Sequence, residues 1–93
     1  MTNEQLEILA QEVLEDLQIN DTTARTVRHL GKAMYKLSSV LGRELINDLN
    51  PEVNQNVRDY LLNYARYAYY GITNEFVENY MWLEREIQIE AGV

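Results

Sequence analysis

Apolar residues recur along this chain at helical spacing. Leu6, Leu9, Ala10, Val13, Leu14 and Leu17 share one side of a helix drawn at about 100° per residue. Thr2 and Gln5 have the spacing of a capping box, and Glu4 lies in the first turn, where negative charge is favoured. This predicts helix one over residues 3–17. Val27, Leu30, Met34, Leu37 and Leu41 follow a narrow 3-4-3-4 seam, predicting helix two over 22–41. Asn20, Asp21 and Thr22 supply N-cap candidates for it, and Gly42 is a natural stop. Gly31 inside this helix costs about 1 kcal/mol against alanine, which a close helix crossing would explain. Leu45, Ile46 and Leu49 predict a connecting segment that packs down. Asn50-Pro51 reads as an N-cap followed by a first helical position, predicting helix three over 51–70. Its inner face is Val53, Val57, Tyr60, Leu61, Tyr64 and Ala68, and Gly71 ends it. Thr73 or Asn74 caps helix four, residues 74–88, with Phe76, Tyr80, Leu83 and Ile87 inward. Ile87-Gln88-Ile89 is the one hint of strand alternation and is too short to change the picture. The expected fold is all-α: a compact bundle of about four helices with short connections, forming a single domain over residues 1–93.

The chain has 93 residues and no cysteine, so neither disulfides nor thiolate metal sites supplement its small core. Extra stability must come from helix packing or from oligomerisation. No apolar run reaches membrane-spanning length and no leader pattern opens the sequence, so the expectation is a soluble, unprocessed chain with no membrane partner. The formal net charge is −7, which disfavours non-specific nucleic-acid binding by the isolated chain. The charge is uneven: residues 1–20 and 71–93 are acidic, with Arg85 the lone base among them, whereas 21–49 are basic. That pattern suits either plain solvation or complementarity between neighbouring copies.

An enzyme is not expected. The one histidine, His29, falls near the basic side of helix two and reads as a surface residue. Glu12 with Glu15 or Asp16 lacks an accompanying metal-binding motif. The glycines are scattered as helix punctuation, and Ser38 and Ser39 have no adjacent base. No catalytic residue, metal ligand or cofactor is assigned. The sharper signal is a basic stripe: Arg25, Arg28, Lys32, Lys36 and Arg43 fall within an arc of about 80° if helix two continues through Gly42. Three readings stand open for it: a solvated outer face, pairing with the acidic helices of a neighbour, or a surface facing nucleic acid.

Eight of the nine aromatic residues lie between Tyr60 and Trp82. Some apolar residues there fall opposite the inner faces: Leu62 and Tyr69 beside Arg58 and Arg66 on helix three, and Trp82 and Ile89 on helix four. Ile8 does the same on helix one. Tyr67 and Tyr70 flank the core edge. Leu62, Tyr69, Trp82, Ile89, Arg58 and Arg66 are therefore the candidate protein-interface residues, because Tyr, Trp and Arg are enriched where protein surfaces bind. Arg25, Arg28, Lys32 and Lys36 are candidates for ion pairing between copies or for a surface lining a DNA channel.

Two segments carry a resemblance: Asp16-Leu-Gln-Ile-Asn-Asp-Thr through Ala33-Met-Tyr-Lys-Leu-Ser-Ser-Val-Leu-Gly42, and Val57-Arg-Asp-Tyr-Leu-Leu-Asn-Tyr-Ala-Arg-Tyr-Ala-Tyr-Tyr followed by Phe76-Val-Glu-Asn-Tyr80 and Leu83. Together they resemble the small helical head–tail connector proteins of tailed phages, also called head-completion or adaptor proteins. The chain departs from that pattern in lacking a clear acidic pair after Ile19. The resemblance implies a structural virion protein, made in the host cytoplasm. It would form a homo-oligomeric ring, dodecameric by analogy, between the portal protein and a stopper or tail-completion protein. DNA would pass through its lumen without sequence readout. The resemblance further implies that the tail from Ile87 to Val93 orders on docking to the portal. The charge and small size also fit a different class, a small acidic phage-type regulator that inhibits a host nucleic-acid enzyme. A third class is a DNA-binding helical domain using helix two.

Overall fold

The computed structural model describes residues 2–92. It consists of four helices, α1 (Asn3–Asp16), α2 (Ala24–Leu41), α3 (Gln55–Tyr69) and α4 (Thr73–Glu90), with a short 3-10 turn at Asn47–Leu49. The fold is all-α, and the connections are short. No helix among the described residues is long and apolar enough to cross a membrane.

The helix ends show which local signals operate. Thr2 and Gln5 form the capping box reciprocally, each side chain bonding the other's backbone N–H. α1 closes on Gln18, held at a φ of 56°, with the Ile19 N–H returning to the Leu14 carbonyl at 2.9 Å. α2 stops where expected, at Gly42 with φ 68°, a left-handed conformation that glycine adopts without steric cost. Gly71, with φ 71°, ends α3 in the same way, and the Ile72 N–H bonds back to Tyr67 O at 3.0 Å.

Other boundaries depart from the sequence reading. Asn50 does start a turn, but α3 begins only at Gln55. Pro51 is buried beneath that turn and Val53 is exposed. The N-cap is Asn54, whose side chain accepts from the Val57 N–H at 3.0 Å. Its amide donates to Asp48 O and to a Glu90 carboxylate oxygen at 2.7 Å, and Asn56 donates to the other Glu90 oxygen. One asparagine thus joins the 3-10 turn, the start of α3 and the end of α4. Neither Thr73 nor Asn74 caps α4, which follows Ile72 without a side-chain cap. Nor does any of Asn20, Asp21 and Thr22 cap α2; its N-cap is Thr23, whose hydroxyl donates to Glu7 on α1. Residues 87–90 are a full helical turn with Ile87 buried, so they are already ordered without a docking partner; Val93 lies outside the described residues.

α3 is central: it packs on α2 and α4 and, more lightly, on α1. α4 lies at the edge of the bundle, against α3 and a few points of α2. The core is one cluster built from Leu9, Val13, Leu30, Leu37, Val57, Tyr60, Leu61, Phe76, Leu83 and Ile87, among others, with Leu45 and Leu49 of the connecting segment folded into it. Ile46 between them is exposed. Gly31 stands at no helix crossing: a Cβ placed there would meet nothing within 4 Å.

Candidate interaction surface

The surplus of rings resolves into an internal cluster and a surface. Phe76 is the hub of the cluster. Tyr60, Tyr64 and Tyr67 of α3 approach it edge-on at 5.1, 5.2 and 5.8 Å between centroids, and Tyr80 stacks on it at 5.0 Å. Such pairs add stability beyond the area they bury. The cluster therefore glues α4 to α3. Tyr60 is fully buried, and its hydroxyl has no hydrogen-bond partner among the described residues, although the Glu84 carboxylate lies beside it. Burial first, and Glu84 second, push that phenol well above the usual tyrosine range.

Three of the six candidate interface residues belong inside the chain. Leu62 is 5% exposed and part of the core, which corrects its outward assignment. Arg58 pairs with Glu12, and Arg66 with Asp16, so both guanidinium groups tie α3 to α1 within the chain. The common reason is the central position of α3. Counting from Tyr60 to Leu62, its buried arc spans about 200° at helical spacing, because α1 covers a side that a two-neighbour helix would leave to solvent. Tyr69 is half-buried, with Arg25 over its ring at 5.2 Å and its hydroxyl 3.4 Å from Asp21.

Trp82 and Ile89 do point away from the core, at 60% and 70% exposure. They have company that the sequence reading missed. Val77 and Met81 are exposed on the same outer side of α4. Residues 77, 81, 85 and 89 are one i, i+4 row, with Trp82 beside it. Reading that row, instead of looking only for departures from the inner face, would have found them. Arg85 sits mid-row, where its i±3 and i±4 neighbours, Met81, Trp82, Gln88 and Ile89, are all uncharged. Glu75, Glu78 and Glu86 are exposed around this arc, and none is in an ion pair among the described residues. α4 is thus apolar on two opposite sides, and only one is covered. Singly exposed apolar residues are ordinary; four gathered on one side of a helix, around a single arginine, are not.

The basic stripe of α2 is partly redrawn. Because Gly42 breaks the helix, Arg43 leaves the stripe, pairs loosely with Asp48 at 3.8 Å and reaches Ala91 O at 3.4 Å. Arg25 leans on Tyr69, and Lys36 stands 6.0 Å over both Tyr64 and Phe76. Arg28 and Lys32 extend into solvent. None of these four cations has a carboxylate within ion-pair distance among the described residues. His29 is not the exposed residue expected: it is half-buried with Nε2 unpartnered. Burial, then Lys32, Arg25 and Arg28, hold its imidazole below the ordinary value.

A shallow depression lies between α1 and the Pro51 turn, lined by Gln5, Ile8, Leu9, Pro51, Glu52 and Arg58. Among the described residues no three acidic or histidine side chains converge as a metal site would require. Compared with known proteins, the chain matches no family model, no curated protein and no solved structure.

Proposed function

We propose that this chain is a structural protein acting by surface contact, and specifically a connector (adaptor) at the head–tail junction of a tailed-phage virion. It joins copies of itself in a ring between portal and stopper, and DNA passes through the lumen without sequence readout. The observation that carries the assembly reading is the second apolar side of α4, where Val77, Met81, Trp82 and Ile89 face solvent opposite the side that builds the core. A small domain without cysteines gains by covering such a surface with another protein. The virion role rests on the resemblance carried by the α1–α2 and α3–α4 segments.

The test is co-expression with the portal protein of the same genome, followed by affinity capture and negative-stain imaging. Rings of this chain on the portal are expected. A chain that ignores the portal, and instead retains a host nucleic-acid enzyme from lysate, would favour the inhibitory regulator and end the connector reading.

A further inference from the structure

We infer that the outer face of α4 receives the outer face of α2 from a second copy, so that the chain self-associates head to tail. The inference rests on the reading of the chain as a self-assembling structural protein but does not require the virion location.

Three observations converge. First, charge: of the eight Lys and Arg residues, Arg43, Arg58 and Arg66 are in ion pairs, and four of the other five lie in α2. Among the described residues they have no acidic partner, in a chain with fifteen Asp and Glu residues. His29 stands among these cations and is held low first by its burial and then by Lys32, Arg25 and Arg28. Glu75, Glu78 and Glu86 around the α4 arc are the matching unpaired acids, and a partner copy supplies them.

Second, shape. Ala24, Arg28, Gly31, Lys32, Tyr35 and Ser39 occupy one outward row of α2. Tyr35 is 78% exposed, yet the position one turn before it, Gly31, has no side chain and open space above it. Within the chain this glycine has no packing reason. It leaves a notch between Arg28 and Tyr35, with half-buried Val27 and Met34 on its inner side. The notch suits a large flat side chain, and Trp82, 60% exposed with Tyr80 stacked against it at 6.5 Å, is the largest exposed ring of α4. A tryptophan seated there would stack near Tyr35 and take cation–π contact from Arg28 or Lys32.

Third, the two faces are unlike. α4 offers apolar bulk with three acids around one base, Arg85; α2 offers a notch with bases alone. Neither complements itself, so the contact is heterologous. Each copy uses α4 toward one neighbour and α2 toward the other, which closes into a ring if the rotation permits.

Sedimentation of the purified chain from about 10 μM to about 1 mM at low salt tests this. Wild type is expected to associate with concentration, and less so as salt screens the pairs. Trp82→Ala is expected to raise the dissociation constant about 30-fold or more, the effect of a central aromatic anchor. Arg28→Glu combined with Lys32→Glu, and separately Gly31→Gln, should do likewise; the glutamine favours the helix and so leaves the monomer folded. The decisive arm mixes Trp82→Ala with the Arg28→Glu/Lys32→Glu chain. Each retains one intact face, so the mixture should form a capped 1:1 dimer that neither forms alone. A wild-type chain monomeric throughout overturns the inference, as does a mixture that stays monomeric. Association lost with Trp82→Ala but kept with both α2 variants also overturns it, leaving a self-assembling protein whose α4 faces pair with each other. Association kept with the α2 variants while DNA retention is lost assigns the stripe to nucleic acid and overturns it too.

Discussion

Gly31→Ala should stabilise this protein, although it fills a position in the middle of a helix packed on three neighbours. Glycine in a helix interior is about 0.8–1.0 kcal/mol less favourable than alanine, because the unfolded glycine has more conformations to lose. That gain is usually cancelled by a clash wherever glycine marks a close crossing. Here the added Cβ meets nothing within 4 Å, and the residue has no left-handed φ. The full gain, about 1 kcal/mol, is therefore expected. At about 2.1 cal/mol/K per residue, 93 residues give an unfolding entropy of about 0.2 kcal/mol/K, so Tm should rise by about 5 °C. In urea the midpoint should rise by about 0.5 M at an m-value near 2 kcal/mol/M, with the slope unchanged. The melts belong in the Trp82→Ala background at low concentration, because self-association would itself raise Tm. Ala33→Gly is the control two residues away: Ala33 is fully buried, so it should lose both the propensity and a buried methyl, about 2 kcal/mol. An unchanged or lowered Tm for Gly31→Ala would refute the reasoning, since it would mean that a neighbouring element does press on residue 31.

Chemical denaturation should separate the two kinds of ring: Phe76→Ala should cost about 3–5 kcal/mol, whereas Trp82→Ala should change monomer stability by less than about 0.5 kcal/mol. Asn54→Ala should cost about 0.5–2 kcal/mol, because it removes an N-cap and frees the Glu90 carboxylate at the same time, and a urea midpoint will show it. His29 is depressed in the folded state, so the unfolded chain takes up its proton first as pH falls. Its contribution is present above pH 6.5 and is lost below it, and His29→Gln should flatten the stability profile between about pH 7 and 5. Tyr60 is shifted the other way: its contribution is full below about pH 10 and declines above it, where unfolded tyrosine ionises. Tyr60→Phe should remove that alkaline loss with little effect at neutral pH, because the hydroxyl it deletes has no hydrogen-bond partner.

The α2 stripe and the α4 arc were not equally legible. Arg25, Arg28, Lys32 and Lys36 are found by helical spacing alone, and the structure leaves them on that side without acidic partners. Trp82 and Ile89 were legible for the same reason, because α4 has one main neighbour and its second side shows as an anomaly. Arg58, Arg66 and Leu62 were misread together. Their spacing is that of an outward face, and only the approach of α1, from more than forty residues away in sequence, turns it inward.

What the sequence determined by itself is local. Backbone sterics and hydrogen-bonding end groups act over a few residues, so the Thr2–Gln5 box, the stops at Gly42 and Gly71 and the four apolar faces can be read from neighbours in the chain. Tertiary structure decided how wide each face is. α3 has three neighbours and buries Leu62 and Ala65 along with its expected seam. It also moved the start of α3 to Asn54: Asn50 accepts from the Glu52 N–H at 2.8 Å, but only Asn54 is held in addition by Asp48 and Glu90. And it left Gly31 open and α4 covered on one side only. Periodicity gives the direction of a side chain around its helix axis, but what lies in that direction depends on the whole chain's packing.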